Sequence, residues 1–110
     1  MVMCRYNTLK HNKHGYVMQC NSCNHIQVAF ATIILSLTVD QFYELIETAD
    51  HLYNVHNLYL CRDEKLVQVP TAARSVAMIF TLNELKEFIG LLIGGRNKLN
   101  KQKLFVFNEN

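Results

Sequence analysis

Two stretches of the chain repeat hydrophobic residues at helical spacing, and the same polar signal precedes both. At Thr38-Val39-Asp40-Gln41 and again at Thr81-Leu82-Asn83-Glu84, a threonine is followed three residues later by Gln or Glu. That is the spacing of a capping box, in which side chain and backbone at a helix start satisfy one another's hydrogen bonds. Phe42, Leu45, Ile46 and Ala49 then form one apolar face, and Leu85, Phe88, Ile89, Leu92 and Ile93 form the other. Asp40 and Glu44 suit the positive end of the first helix dipole. Gly94-Gly95 is expected to stop the second helix.

The remaining apolar segments read as extended chain. Tyr16 to Gln19 and His25 to Leu37 are rich in Val, Ile and Phe. Leu58 to Cys61 and Leu66 to Val69 flank the polar turn Arg62-Asp63-Glu64-Lys65, the pattern of a β-hairpin, and Pro70 ends its second arm. Ser75 to Phe80 leads into the second helix, and Lys103 to Phe107 reads as a short late strand.

These pieces recur. Residues 32–42 align without a gap on residues 75–85, and a two-residue adjustment places Cys20 on Cys61 and Ile26-Gln27-Val28 on the strand ending at Val69. A duplicated strand–strand–strand–helix unit, about 15–54 and 56–97, is therefore expected within one domain spanning 1–110. The predicted fold class is α+β: a mostly antiparallel sheet with two helices on one face, and a zinc-ribbon-like first hairpin.

Cys20 and Cys23 carry the main chemical signal. They lie in Cys20-Asn21-Ser22-Cys23-Asn24-His25, between two predicted strands. Such a turn brings two thiolates to one tetrahedral ion, and Zn²⁺ is the ion these ligands favour. Cys4 is the natural third ligand and His14 the fourth, with His11, His25 and Cys61 as alternatives to His14. Two other readings compete. The cysteines can be small buried hydrophobes. They can also be a redox pair, but Ile26-Gln27-Val28 follows as a strand, where a lowered thiol pKa needs a helix N-terminus.

Composition narrows the partners. A net charge of +2 is too mild to imply a polyanionic partner. Arg5, Lys10 and Lys13 near the front and Arg96, Lys98, Lys101 and Lys103 near the back would make a basic patch if both ends share a face. Tyr6 and Tyr16 would then offer stacking surfaces. The plainer alternative makes Arg96 to Lys103 a solvated, helix-terminating segment. Val28, Phe30 and Phe105-Val106-Phe107 are candidates for a homodimer or protein-partner surface, or for the monomer's own core. There is no Gly-rich phosphate loop, His-Glu-x-x-His pair or nucleophile elbow, so no catalytic residues are assigned.

Met1-Val2-Met3 runs into Cys4-Arg5-Tyr6-Asn7 without the basic and apolar regions of a signal peptide. The longest apolar stretch, Val28 to Val39, falls short of the roughly 20 residues that span a membrane. A cytoplasmic location is the expectation, with thiols reduced and no membrane partner.

At Cys4, His14-Gly15-Tyr16-Val17, Cys20-x-x-Cys23 and Ile26-Gln27-Val28-Ala29-Phe30 the chain resembles a small uncharacterised domain family of Bacteroidetes-type bacteria. The likeness continues at Val69-Pro70-Thr71 and Phe80-Thr81-Leu82-Asn83-Glu84-Leu85, and so extends over nearly the whole chain. Family members carry Gly at the place of Ala31 and often His at the place of Tyr6. The second departure removes a possible ligand beside Cys4. The resemblance implies unknown function and no catalytic residues. The reading that follows is a small cytoplasmic binding or interaction module stabilised by structural zinc, with a nucleic-acid-binding regulator as the alternative and a thiol-redox protein behind it.

Overall fold

A computed structural model describes residues 5–57, 64–65 and 67–109, with side chains described as far as residue 102. Strands β1 (Tyr6–Asn12), β2 (Gly15–Cys20), β3 (Ile26–Phe30) and β4 (Ile33–Leu37) form an antiparallel meander in that order. Helix α1 (Val39–His56) follows, then the hairpin β5 (Val67–Pro70) and β6 (Ala77–Phe80), then helix α2 (Leu82–Glu109). The architecture is α+β, but among the described residues the six strands make two sheets of four and two rather than a single one.

Local chemistry explains the turns. The Asn12 side-chain oxygen accepts hydrogen bonds from the backbone N–H groups of His14 and Gly15, at 2.8 and 3.0 Å, and closes the β1–β2 turn. Gly15 is obligatory there, because a Cβ would lie 1.8 Å from the Ala29 carbonyl oxygen. The predicted extended run His25 to Leu37 is in fact two strands, folded back at Ala31-Thr32. Ala31 takes φ = 54°, a left-handed conformation that glycine normally supplies, so the usual turn signal is missing from the sequence.

Both capping boxes form. The Gln41 N–H donates to Thr38 Oγ1 at 3.1 Å while the Thr38 N–H donates to Gln41 Oε1 at 2.9 Å. Glu84 and Thr81 make the same reciprocal pair at 3.0 and 2.9 Å. The second helix does not stop at Gly94-Gly95. It runs to Glu109, so the predicted strand Lys103 to Phe107 is helical backbone. Neither glycine has a positive φ, and both serve close packing: a Cβ on Gly95 would lie 2.9 Å from Val17 Cγ1, and one on Gly94 would lie 2.9 Å from the Lys10 side chain. The helix thus lies across β2 and β1 at the point where two side chains are absent.

One apolar core joins all layers. Val17, Ile26, Val28, Phe30 and Leu37 point from the four-stranded sheet toward the helices, by strand alternation and burial. Val28 and Phe30, candidates for a dimer surface, are therefore interior residues, 1% and 4% exposed. Phe30 meets Phe88 edge-on at 5.1 Å and Phe80 at 5.8 Å, while Phe80 and Phe88 stack at 5.0 Å. That cluster ties β3, β6 and α2 together, and with them the two sheets.

Candidate metal knuckle

The loop between β2 and β3 is built from strand pairing inward. Gln19 pairs with Ile26, and the Cys20 N–H donates to the His25 carbonyl at 2.9 Å, which carries the ladder one step further. The Asn24 N–H then donates to the Cys20 carbonyl at 3.0 Å. Asn24 reverses the chain with φ = 64°, a conformation asparagine tolerates better than most residues. The Gln19 side-chain amide bonds the Asn24 carbonyl at 3.3 Å, and the Asn21 N–H bonds the Arg5 carbonyl at 2.8 Å. The loop is thus held from within and by the residue that precedes β1.

The two cysteines occupy different environments. Cys20 is fully buried, yet it stands apart from the main apolar cluster, because strand alternation turns it away from the helices. Cys23 is exposed at the loop. The chain continues from Cys23 into β3, not into a helix N-terminus, so the feature that would activate a redox thiol is not placed here.

The other proposed ligands separate into three groups. His25 is exposed and belongs to the loop itself. His14 and His11 lie at the opposite end of the sheet: Gly15 and Cys20 are the two ends of β2, which puts His14 roughly 20 Å away at about 3.3 Å per residue. His14 takes part in a turn cluster there, with its ring 5.5 Å from Phe30 and its carbonyl accepting from the Ala31 N–H at 2.9 Å. It does not approach the cysteine pair, because β2 is extended and straight between them. Cys4 and the predicted arm Leu58 to Cys61 lie outside the described residues, as do Arg62 and Asp63 of the predicted turn. Among the described residues no group of three or more His, Cys, Asp or Glu gathers in metal-binding fashion. Strand β1 was not anticipated from the sequence. Its pattern is irregular because a bulge between Thr8 and Lys10 turns Leu9 inward.

A cleft of about 260 Å³ lies between the β3–β4 turn and β6, lined by Phe30, Ile33, Met78 and Phe80, with the 3.1 Å Lys65–Glu84 ion pair beside them. Glu84 is already committed to capping α2. No helix among the described residues is long and apolar enough to cross a membrane.

Comparison with known proteins assigns a family. The profile described as Family of unknown function (DUF6686) matches residues 2–109, and the chain belongs to that family. No curated protein and no solved structure matches.

Proposed function

We propose that this DUF6686 member is a small binding module whose β2–β3 loop takes a structural Zn²⁺ through Cys20 and Cys23. The observation that carries the reading is the pairing of a fully buried Cys20, outside the main core cluster, with Cys23 three residues on in a loop fixed by four hydrogen bonds. A buried thiol at a strand end, with a second thiol across a tight turn, is the ligand pair a tetrahedral zinc site uses. Cys4 is the third ligand in this reading, since Arg5 hydrogen bonds to the same loop. His25 replaces His14 as the histidine nearest to hand. Free thiols kept as metal ligands fit a reduced, cytoplasmic setting.

The internal repeat belongs to the same reading. Supporting it, an offset of 43 residues places the buried Phe42, Leu45, Ile46 and Ala49 on the buried Leu85, Phe88, Ile89 and Leu92. The pairs Ile26↔Leu37 and Val67↔Phe80 fall on one another with the two-residue adjustment.

The test is the metal content of untagged protein, measured beside Cys20→Ser and Cys23→Ser variants. Near-stoichiometric zinc in the wild type, lost in both variants together with thermal stability, is the expected result. Metal-free wild type with unaltered melting of Cys23→Ser would leave the pair as ordinary turn residues.

A further inference from the structure

Charge in this chain is sharply segregated. Residues 1–39 contain no Asp or Glu, and neither do residues 88–108; all 9 acidic residues lie in 40–87 or at 109. The acid-free stretches hold Arg5, Lys10 and Lys13 in the first and Arg96, Lys98, Lys101 and Lys103 in the second. The fold brings the two stretches together, because α2 packs along β1 and β2. At Gly94 the helix surface is bare, and the stem of Lys10 lies over it, 2.9 Å from where a Cβ would be. Lys98 and Lys101, four and seven residues beyond Gly94, continue the same helical stripe, and both are exposed. A net charge of +2 therefore conceals a strongly basic rim along the β1 edge.

That rim borders the sheet face which the helices leave uncovered. Register and alternation put Tyr6, Thr8, Tyr16, Met18 and Gln27 on this outer face. Tyr6 is 44% exposed, and Tyr16 is half-buried with its hydroxyl donating to Gln27 Oε1 at 3.4 Å, which fixes the ring on the sheet. His11, exposed and opposite Tyr16, adds a third ring. All these residues come from the acid-free stretch. Aromatic rings on an open antiparallel sheet, flanked by cations and free of carboxylates, match the two demands of an unpaired polynucleotide: stacking for its bases and positive charge for its phosphates. A duplex offers the charge demand alone, since its base faces are already stacked.

We infer that the outer face of the β1–β4 sheet, with the Lys10–Lys98–Lys101 rim, binds single-stranded nucleic acid. This inference rests on the chain being a binding module and not on its zinc.

Fluorescence anisotropy with labelled 20-nucleotide single strands of mixed sequence, DNA and RNA, tests it on the full chain. Heparin, the corresponding duplex and phosphatidylserine vesicles serve as comparison ligands. Binding is expected at 50 mM salt and should weaken roughly 15- to 50-fold at 200 mM, as three or four phosphate contacts on a single strand require. Lys98→Glu/Lys101→Glu should weaken it about tenfold or more at low salt. Tyr16→Thr and Tyr6→Thr keep β-propensity and should each weaken the single strand about tenfold, leaving heparin binding unchanged. Thermal melts of each variant separate loss of the face from loss of the fold. No binding at low salt overturns the inference. So does equal affinity for single strand, duplex and heparin with the Tyr variants inert, which would mark a generic polyanion surface. Binding to the vesicles alone would assign the face to membranes instead. Repeating the titration with chelator-treated protein whose melt shows it still folded keeps the two readings apart: binding that persists without zinc refutes neither the face nor the fold, and zinc retained while binding fails overturns the face alone.

Discussion

Alanine introduced at Gly90 and at Gly95 should change stability in opposite directions, although the substitution is identical and both sites lie inside α2. At Gly90 an added Cβ meets nothing within 4 Å, so the only effect is intrinsic helix propensity, worth about 1 kcal/mol in favour of Ala. At Gly95 the same atom would sit 2.9 Å from Val17 Cγ1 and 3.0 Å from Val17 Cβ. Carbon atoms pack comfortably at about 3.8 Å, so helix and sheet must separate by nearly 1 Å. Val17 is fully buried and β-branched, and cannot swing aside. Overpacking of this kind costs about 1–3 kcal/mol, which leaves Gly95→Ala destabilising by about 1 kcal/mol after the propensity gain. Melting should rise by about 4 °C for Gly90→Ala and fall by a similar amount for Gly95→Ala. The decisive measurement is a double-mutant cycle by chemical denaturation. In a Val17→Ala background both Cγ methyl groups are gone while the 3.0 Å contact with Cβ stays, so Gly95→Ala should become close to neutral, a coupling of about 1 kcal/mol. If Gly95→Ala is additive with Val17→Ala, the helix does not lie on β2 there, and glycine is acting as a helix terminator after all.

Three further outcomes follow from local geometry. Gly15→Ala places a methyl group on the Ala29 carbonyl, backbone against backbone, and should cost about 3 kcal/mol or more; a urea midpoint near the wild-type value would contradict that contact. Ala31→Gly relieves a left-handed alanine and should stabilise the β3–β4 hairpin by about 0.5–1 kcal/mol, whereas Ala31→Val should destabilise it, both read from thermal melts. The bond from the Thr81 backbone, aided by Lys65 and opposed by partial burial, holds the Glu84 carboxyl below its ordinary value of 4.5. Its stabilising effect is thus present above pH 4.5 and lost as pH falls through the lowered folded value. Between pH 5.5 and 3 the wild type should lose slightly more stability than Glu84→Gln, the margin being small because the pair is solvent-screened; equal losses would show that the cap does not titrate.

What the sequence disclosed was local. The two capping boxes and the apolar faces behind them are satisfied within a few residues, so Phe42, Leu45, Phe88 and Leu92 were legible as core from spacing alone. The misreadings arise where distant chain decides. Gly94-Gly95 looks like a stop signal until Val17 and Lys10 are known to fill the space above it. The fold-back at Ala31 carries no turn residue, and β1 has lost its alternation to a bulge. Within the candidate site, the proximity of Cys20 and Cys23 was readable from their spacing. The distance to His14 was not, since it depends on β2 being one uninterrupted strand.

The residues that folding explains and those it does not fall on opposite sides of the same sheet. Toward the helices, every buried side chain among the described residues is apolar, and none of the buried residues is polar or charged. That interior has no chemistry to spare for recognition. The outer face and the knuckle are different. Tyr6 and His11 lie exposed on the outer face, and Cys20 is buried where the main core does not reach. A bulge at Thr8/Lys10 and left-handed residues at Asn24 and Ala31 are costs carried by the four-stranded sheet, and no such residue occurs in the described part of β5–β6. Strained backbone and the aromatic and thiol side chains outside the main core thus coincide in the N-terminal meander. The β5–β6 hairpin and α2 brace it: the Phe30–Phe80–Phe88 cluster fixes one end of the sheet, and Gly95 against Val17 fixes its middle. On this division of labour, substitutions in β5–β6 should act only through stability, whereas those at exposed positions of β1 and β2 should alter the proposed nucleic-acid binding at unchanged stability, as melts and anisotropy read side by side would show.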